Sequence, residues 1–108
     1  MKFTKIKDKD TSLSVFEKLP FQPKRIYYMQ GMDYFDVRGK HQHKKNRQVL
    51  ICVKGDCIIT VKSIDKHIEQ NDYIILEPSD WHIMKNFSDD CILLVLASEE
   101  YDKNDYIR

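Results

Sequence analysis

Short runs of β-branched, aromatic and other apolar residues alternate with polar turn residues along most of the chain. This pattern is typical of strands joined by tight connections. It predicts eight strands, at Ser12–Glu17, Arg25–Gln30, Gln48–Val53, Cys57–Val61, His67–Glu69, Tyr73–Leu76, Trp81–Lys85 and Cys91–Leu96.

Turn residues mark the connections between these strands. Lys54–Gly55–Asp56 predicts a tight hairpin turn, because glycine accepts a positive φ without steric cost, and Ser63–Lys66 and Asn71–Asp72 predict two more. Only the tail, Glu99–Arg108, has the character of a helical turn. We therefore expect one all-β domain over residues 1–108, a β-sandwich or small barrel able to enclose a ligand.

Charge narrows the class of partner. The 18 basic and 17 acidic residues nearly cancel, and the local basic cluster consists of Lys40, Lys44, Lys45 and Arg47. A protein that binds nucleic acid would carry a larger basic surface and a recognisable motif. The cluster favours a small anionic ligand, such as a phosphorylated substrate.

Targeting signals and cysteine usage bear on the cellular location. The first ten residues lack the apolar segment of a signal peptide, and the longest strongly apolar run, Cys91–Ala97, is too short to span a bilayer. Three cysteines without metal-type spacing favour a reducing compartment and positions in the core. We expect a cytoplasmic protein with no membrane partner.

Two histidines one residue apart, His41 and His43, are the most informative polar feature. Alternate side chains of an extended strand share a face, so both imidazoles point the same way and Gln42 points opposite. Converging imidazoles can bind a metal ion or transfer protons. His82 is expected to join them inside a barrel, whereas His67 is expected on the surface.

This arrangement resembles the two-part signature of the cupin superfamily. The matching positions are His41-x-His43, Gln48 and Gly55, followed by Pro78 and His82. Metal-binding cupins have a glutamate where this chain has Gln48 and a glycine where it has Phe35. An amide is a poorer metal ligand than a carboxylate, although three neutral imidazoles can still bind zinc. Metal binding therefore stays an alternative to proton transfer, which suits imidazole near neutral pH.

Five longer segments resemble a narrower family, the sugar 3,4-ketoisomerases of the cupin superfamily. They are RIYYM at Arg25–Met29, RGKHQHKK at Arg38–Lys45, QVLICVKGDC at Gln48–Cys57, WHIMKNFS at Trp81–Ser88 and LLVLASEEYDKNDYIR at Leu93–Arg108. The resemblance implies a cupin-type jelly roll with no metal or other cofactor. It also implies a homodimer, in which exchanged N-terminal strands would cover edge strands.

The same resemblance implies a reaction and a substrate. The named activity, that of dTDP-4-keto-6-deoxyglucose 3,4-ketoisomerase, moves the keto group of a dTDP-linked deoxysugar from C-4 to C-3. Its products lead to amino sugars of bacterial surface glycans such as lipopolysaccharide. The family's histidine pair corresponds to His41 and His43, which we predict to be catalytic. The predicted substrate-binding residues are Arg38, Gln48, Tyr28, Trp81 and His82.

These residue types suit that chemistry. The C-4 ketone acidifies the proton on C-3, so a base can remove it to form an enediolate, and protonation of C-4 completes the isomerisation. Arg38 can neutralise the enediolate or bind a phosphate, and Gln48 can hydrogen-bond a sugar hydroxyl or orient an imidazole. Tyr27 and Tyr28 alternate faces, so at most one of them lines the cavity.

Other functional classes also fit the sequence. A metal-dependent cupin, such as a small dioxygenase, would use the three histidines as ligands. A non-catalytic sugar-nucleotide-binding module would bind without turnover, and a related isomerase or epimerase is a further alternative. The connection between Cys57 and Pro78 is shorter than is typical of the ketoisomerases, which leaves the sugar and the nucleotide open.

Overall fold

The computed structural model describes residues 1–108 and consists almost wholly of strands. They are β1 (Lys2–Asp8), β2 (Thr11–Glu17), β3 (Arg25–Met29), β4 (Arg38–His43), β5 (Gln48–Lys54), β6 (Asp56–Val61), β7 (Ile64–Glu69), β8 (Tyr73–Leu76), β9 (His82–Lys85), β10 (Ile92–Ala97) and β11 (Tyr106–Ile107). One 3-10 turn, Lys103–Asp105, lies where the tail was expected to form a helical turn. The chain has no helix with the length and hydrophobicity of a membrane span.

All eight predicted strands are present, and three were not predicted as strands. β1 was not predicted because lysines interrupt its few apolar residues, and most of its side chains are exposed to solvent. β4 carries the histidine pair, and β11 is only two residues long. The turn predicted at Ser63–Lys66 lies earlier, at Lys62–Ser63, because both residues adopt positive φ and β7 begins at Ile64.

Two antiparallel sheets face each other and enclose the core. One has the strand order β3-β10-β5-β8 and the other β11-β4-β9-β6-β7. Because β10 lies between β3 and β5, the chain crosses between sheets rather than pairing strands in sequence order. This topology is the jelly roll that the sequence predicted.

The core fills the space between the sheets. Leu50 of β5, Leu93 of β10 and Ile59 of β6 are almost completely buried and belong to one cluster. All three cysteines are free thiols buried in the same cluster, as predicted. β5 is buried on both faces because segments before β3 cover its outer side, which explains why its sequence is apolar without alternation.

The N-terminal hairpin of β1 and β2 pairs only with itself. Met1 and Phe16, near its base, pack on the outer face of the first sheet. Towards its tip, Ile6 and Leu13 form a cross-strand pair, and their side chains are 53% and 58% exposed. The hairpin thus leaves an apolar surface uncovered.

Gly55 closes the turn between β5 and β6 with a φ of 73°, as predicted. A Cβ atom there would overlap Ser88 Oγ and lie 2.9 Å from Cys91 Cα. The turn therefore requires glycine both for its backbone conformation and for its close packing.

Replacing Gly55 by alanine should lower the free energy of unfolding by about 2–4 kcal/mol, since left-handed φ and overpacking each cost about 1–3 kcal/mol. Urea unfolding followed by tryptophan fluorescence measures the change. Lys54→Ala, an exposed neighbour, is the control and should stay within about 0.5 kcal/mol of wild type. Equal stability of both variants would contradict the close packing at Gly55.

Candidate active site

Three histidines converge between the two sheets. His41 and His43 lie on β4, and β9 pairs His82 directly with His41. The ring centroid of His41 is 4.9 Å from each of the other two, and the rings of His43 and His82 are 6.1 Å apart. His43 and His82 are 4% and 2% exposed, and His41 is partly buried.

A bulge in β4 sets the direction of these side chains. Gly39 and Lys40 both have positive φ, and the register with β9 shifts between Gly39 and His41. Arg38 consequently pairs with Met84, which faces the core. Because directly paired residues share a face of the sheet, the bulge brings Arg38 onto the side of the histidines.

Each imidazole is anchored through Nδ1. The three contacts, all 2.9 Å, join His41 to Gly39 O, His43 to Asp105 Oδ2 and His82 to Asp80 O. Carbonyl and ionised carboxylate oxygens only accept hydrogen bonds, so Nδ1 of each neutral ring must carry the proton. Nε2 of each ring is therefore unprotonated and able to act as a base or a ligand.

Burial keeps the three rings neutral. It lowers the pKa of His41 to about 4. The hydrogen bond to Gly39 O acts in the opposite direction, and the neighbouring imidazoles lower the pKa further. Burial also lowers the pKa of His43 and of His82, although the Asp105 carboxylate partly opposes the shift at His43. All three are bases at neutral pH.

Asp105, in the C-terminal 3-10 turn, is a residue of this site that the sequence did not single out. Its carboxylate accepts hydrogen bonds from the His43 ring and from the N–H groups of Lys45 at 2.8 Å and Asn46 at 3.3 Å. Tyr106 follows it, with its ring centroid 4.7 Å from that of His43. The only sequence signal was that both lie in a segment resembling the ketoisomerases.

Tyr27 and Gln48 form a second polar pair inside the barrel. Gln48 Nε2 donates to the Tyr27 hydroxyl oxygen at 3.1 Å. Burial raises the pKa of Tyr27, although the nearby Arg25 opposes the shift. The phenol is therefore neutral, and its proton is free to be donated to another group.

Arg25 adds a permanent positive charge beside the histidines. Its guanidinium lies 5.4 Å from the ring centroid of Tyr27 and 5.8 Å from that of Tyr101, and its charge lowers the pKa of His43. Its buried Nε has no hydrogen-bond partner in the protein. The site thus combines neutral bases, a neutral acid and a cation.

Comparison with known proteins identifies the family. The whole chain, residues 1–108, matches the family described as FdtA: WxcM-like, C-terminal. The TDP-4-oxo-6-deoxy-alpha-D-glucose-3,4-oxoisomerase of Aneurinibacillus thermoaerophilus is 40% identical over 114 residues, which cover 98% of this chain and 82% of that protein. The chain belongs to the WxcM-like, C-terminal family.

Solved structures of similar proteins agree with this assignment. QdtA, a sugar 3,4-ketoisomerase from Thermoanaerobacterium thermosaccharolyticum in complex with TDP, has a TM-score of 0.88 and 44% identity, over 99% of this chain and 84% of that one. The WlaRB TDP-quinovose 3,4-ketoisomerase from Campylobacter jejuni has a TM-score of 0.87 and 38% identity, over 98% and 88%. The predicted family and jelly-roll fold are confirmed.

Two of the residues proposed from the WxcM-like family resemblance do not face the histidine cluster. Tyr28 is 63% exposed, because β3 turns Tyr27 inward instead. Trp81 precedes His82 and therefore points to the opposite face, where it is 39% exposed. His67 is on the surface, as predicted, where it contacts Asp56.

Arg38 lies at the rim rather than among the histidines. Its side chain is 55% exposed, and Nη2 is 3.6 Å from Asp36 Oδ2. Together with Tyr28 and Met32 it lines a surface cleft of about 570 Å³. Both Arg38 and Tyr28 thus lie outside the histidine cluster, at this cleft.

The three histidines also form a candidate metal site. One nitrogen from each of His41, His43 and His82 lies within 4.8 Å of the others, so small ring movements would bring the three onto one divalent ion. The position of the cupin glutamate is Gln48, whose amide is already bonded to Tyr27. The donor set is therefore three neutral imidazoles with no carboxylate to offset the charge of the ion.

Burial of neutral imidazoles makes stability depend on pH. In chelator-treated protein, the free energy of unfolding should fall as the pH decreases from about 6.5 to about 4. In this range the imidazoles of the unfolded chain are protonated, whereas a buried imidazole with a lowered pKa stays neutral. His41→Gln should reduce this slope by up to about 1.4 kcal/mol per pH unit for each proton. Urea unfolding at pH 5.5, 7.0 and 7.5 measures it, and the upper pair serves as the nearly pH-independent control. Equal stability at 5.5 and 7.5 would show that the imidazoles are not buried as neutral groups.

Proposed function

We propose that this protein is a metal-independent sugar-nucleotide 3,4-ketoisomerase acting on a TDP-linked 4-keto-6-deoxyhexose. The observation that carries the proposal is the set of three neutral imidazoles inside the jelly roll. Nδ1 of each ring is hydrogen-bonded, which leaves Nε2 available to accept a proton. Relatives of similar length that bear this activity in their names support the reaction class. TDP-4-keto-6-deoxyglucose is the substrate to test first.

The reaction moves two protons and leaves the redox state of the sugar unchanged. A base removes the proton on C-3, and the electron pair of that bond forms the C-3=C-4 double bond while the C-4 carbonyl oxygen becomes an oxyanion. The C-3 hydroxyl then loses its proton as a carbonyl forms, C-4 receives a proton, and the former carbonyl oxygen becomes a hydroxyl. Catalysis needs a base, an acid and a cation near the oxyanion.

The residues of the site match these needs. We assign the carbon proton transfers to His43 and His41, which share one face of β4. Tyr27 is a neutral hydroxyl that can donate to the developing oxyanion, and Arg25 is the adjacent cation. His82 and Gln48 are proposed to bind the sugar, and Arg38 and Tyr28 to bind the nucleotide at the rim.

Replacing His43 by asparagine should lower kcat by about 10²–10⁴-fold, because the ring that transfers a proton is lost. Proton NMR of TDP-4-keto-6-deoxyglucose with chelator-treated protein in deuterium oxide is the measurement. Wild type should produce a 3-keto sugar carrying deuterium at C-4. His67→Asn, which changes a surface histidine, is the control and should keep wild-type activity. No isomerisation by the wild type would rule out this substrate, and an active His43→Asn would remove His43 from the mechanism.

A metal-dependent enzyme is a second candidate, which the 4.8 Å spacing of the histidine nitrogens favours. Metal analysis of purified protein and a comparison of activity before and after chelation separate the two. Full activity after chelation supports the metal-independent reaction. Loss of activity that returns with one divalent metal would support the alternative.

We further propose a homodimer built on the N-terminal hairpin. β3 is an edge strand of its sheet and exposes Ile26 and Tyr28, at 64% and 63%. The exposed Ile6 and Leu13 pair on the hairpin offers a matching apolar surface. Packing the hairpin of one copy against β3 of a second would cover both.

Light scattering should therefore give a mass of about 26 kDa, twice the 12.9 kDa of the chain. The double variant Ile6→Glu, Leu13→Glu should be monomeric, since it places charges on the apolar pair. The matched control is Lys5→Glu, Ser14→Glu, the neighbouring cross-strand pair on the opposite face, and it should remain a dimer. A monomeric wild type, or a dimeric Ile6→Glu, Leu13→Glu protein, would contradict the hairpin interface.

We also propose where in the cell the reaction takes place and which reaction uses its product. Substrates linked to TDP are made in the cytoplasm, where we propose that the enzyme acts. A 3-keto sugar is the form that an aminotransferase needs to install an amino group at C-3. We propose that the product is used for amino sugars of surface glycans such as lipopolysaccharide.

A further inference from the structure

Asp105 makes His43 chemically different from the other two histidines. His41 and His82 direct Nδ1 to backbone carbonyl oxygens, whereas His43 directs Nδ1 to a side-chain carboxylate 2.9 Å away. Among the hydrogen bonds of the cluster, this is the one that involves a carboxylate. Asp105 itself is only 8% exposed.

The carboxylate of Asp105 is ionised and held in place. Burial raises its pKa, but the hydrogen bonds from the Lys45 and Asn46 N–H groups and from His43 outweigh burial, and the pKa lies below its usual value. The backbone of the turn is bonded as well, since Lys44 N–H donates to Asp105 O at 2.9 Å. The charge therefore has a fixed position relative to the His43 ring.

We propose that Asp105 is a positioning residue that selects His43, among the three histidines, as the base that removes the C-3 proton. This inference rests on the ketoisomerase function proposed above. Asp105 acts through its contact with His43.

The contact makes His43 a base, as the carbonyl contacts do for His41 and His82, and it then favours His43 over them once a proton is accepted. As an acceptor, the carboxylate keeps the proton of the neutral ring on Nδ1, which leaves Nε2 unprotonated. His43 Nε2 is buried and has no hydrogen-bond partner in the protein, so it is available to a substrate proton. When Nε2 accepts that proton, the imidazolium forms an ion pair with an ionised carboxylate, whereas a protonated His41 or His82 would face only a carbonyl dipole.

Asp105→Asn tests the proposal, because the amide keeps the shape and removes the charge. With TDP-4-keto-6-deoxyglucose, kcat should fall by about 10–100-fold while KM stays within about twofold, since the binding contacts are unchanged. Asp102→Asn is the matched control, an exposed carboxylate of the same turn whose Oδ1 caps Asn104 N–H, a bond that an amide oxygen preserves. It should keep the wild-type kcat.

Nitrogen-15 NMR of the imidazole rings provides a readout that does not need activity. In the wild type, the His43 signals, assigned with His43→Asn, should show a protonated Nδ1 and an unprotonated Nε2. In Asp105→Asn they should move towards the other tautomer, because an amide can donate as well as accept.

Each outcome decides one of the two proposals. A wild type that leaves the substrate unchanged overturns the ketoisomerase function, while the tautomer of His43 still tests the role of Asp105 directly. A protonated Nε2 in the wild type overturns the role of Asp105, and this holds even if Asp105→Asn fails to fold. A folded Asp105→Asn with wild-type kcat also overturns it.

Discussion

In the resting protein, the three imidazoles that share the interior of this barrel are held uncharged. Burial penalises each positive charge, and each charged ring would also repel its neighbours about 5–6 Å away. The structure meets this constraint by giving every Nδ1 proton an oxygen acceptor. The result is a cluster of bases that stays deprotonated at neutral pH, which is the state that proton abstraction from carbon requires.

Two charged side chains, Arg25 and Asp105, lie beside the histidines, and contacts within the protein hold them in place. Arg25 lies between two aromatic rings, and Asp105 is bonded by two backbone N–H groups and by His43. One charge is positive and the other negative, and both are fixed by contacts that do not involve a ligand. Such preorganised charges are effective because they need little rearrangement during a reaction.

The candidate active site is built from segments that are far apart in the chain. β3 provides Arg25 and Tyr27, β4 and β9 provide the histidines, and the C-terminal turn provides Asp105. β11 pairs with β4, and this pairing brings the turn against the histidine strand. The C-terminal turn is therefore in contact with the histidine cluster, although it contributes little to the core.

The sequence by itself determined the approximate positions of eight of the eleven strands, because turn residues and apolar runs are local signals. It also determined that His41 and His43 share a face, since that follows from a spacing of two residues. Only the tertiary structure decided that Tyr27 rather than Tyr28 points inward, because alternation says that the two differ and not which one meets the core. The contact between His43 and Asp105, 62 residues apart, likewise depends on the register in which β11 pairs with β4, and no local pattern encodes that register.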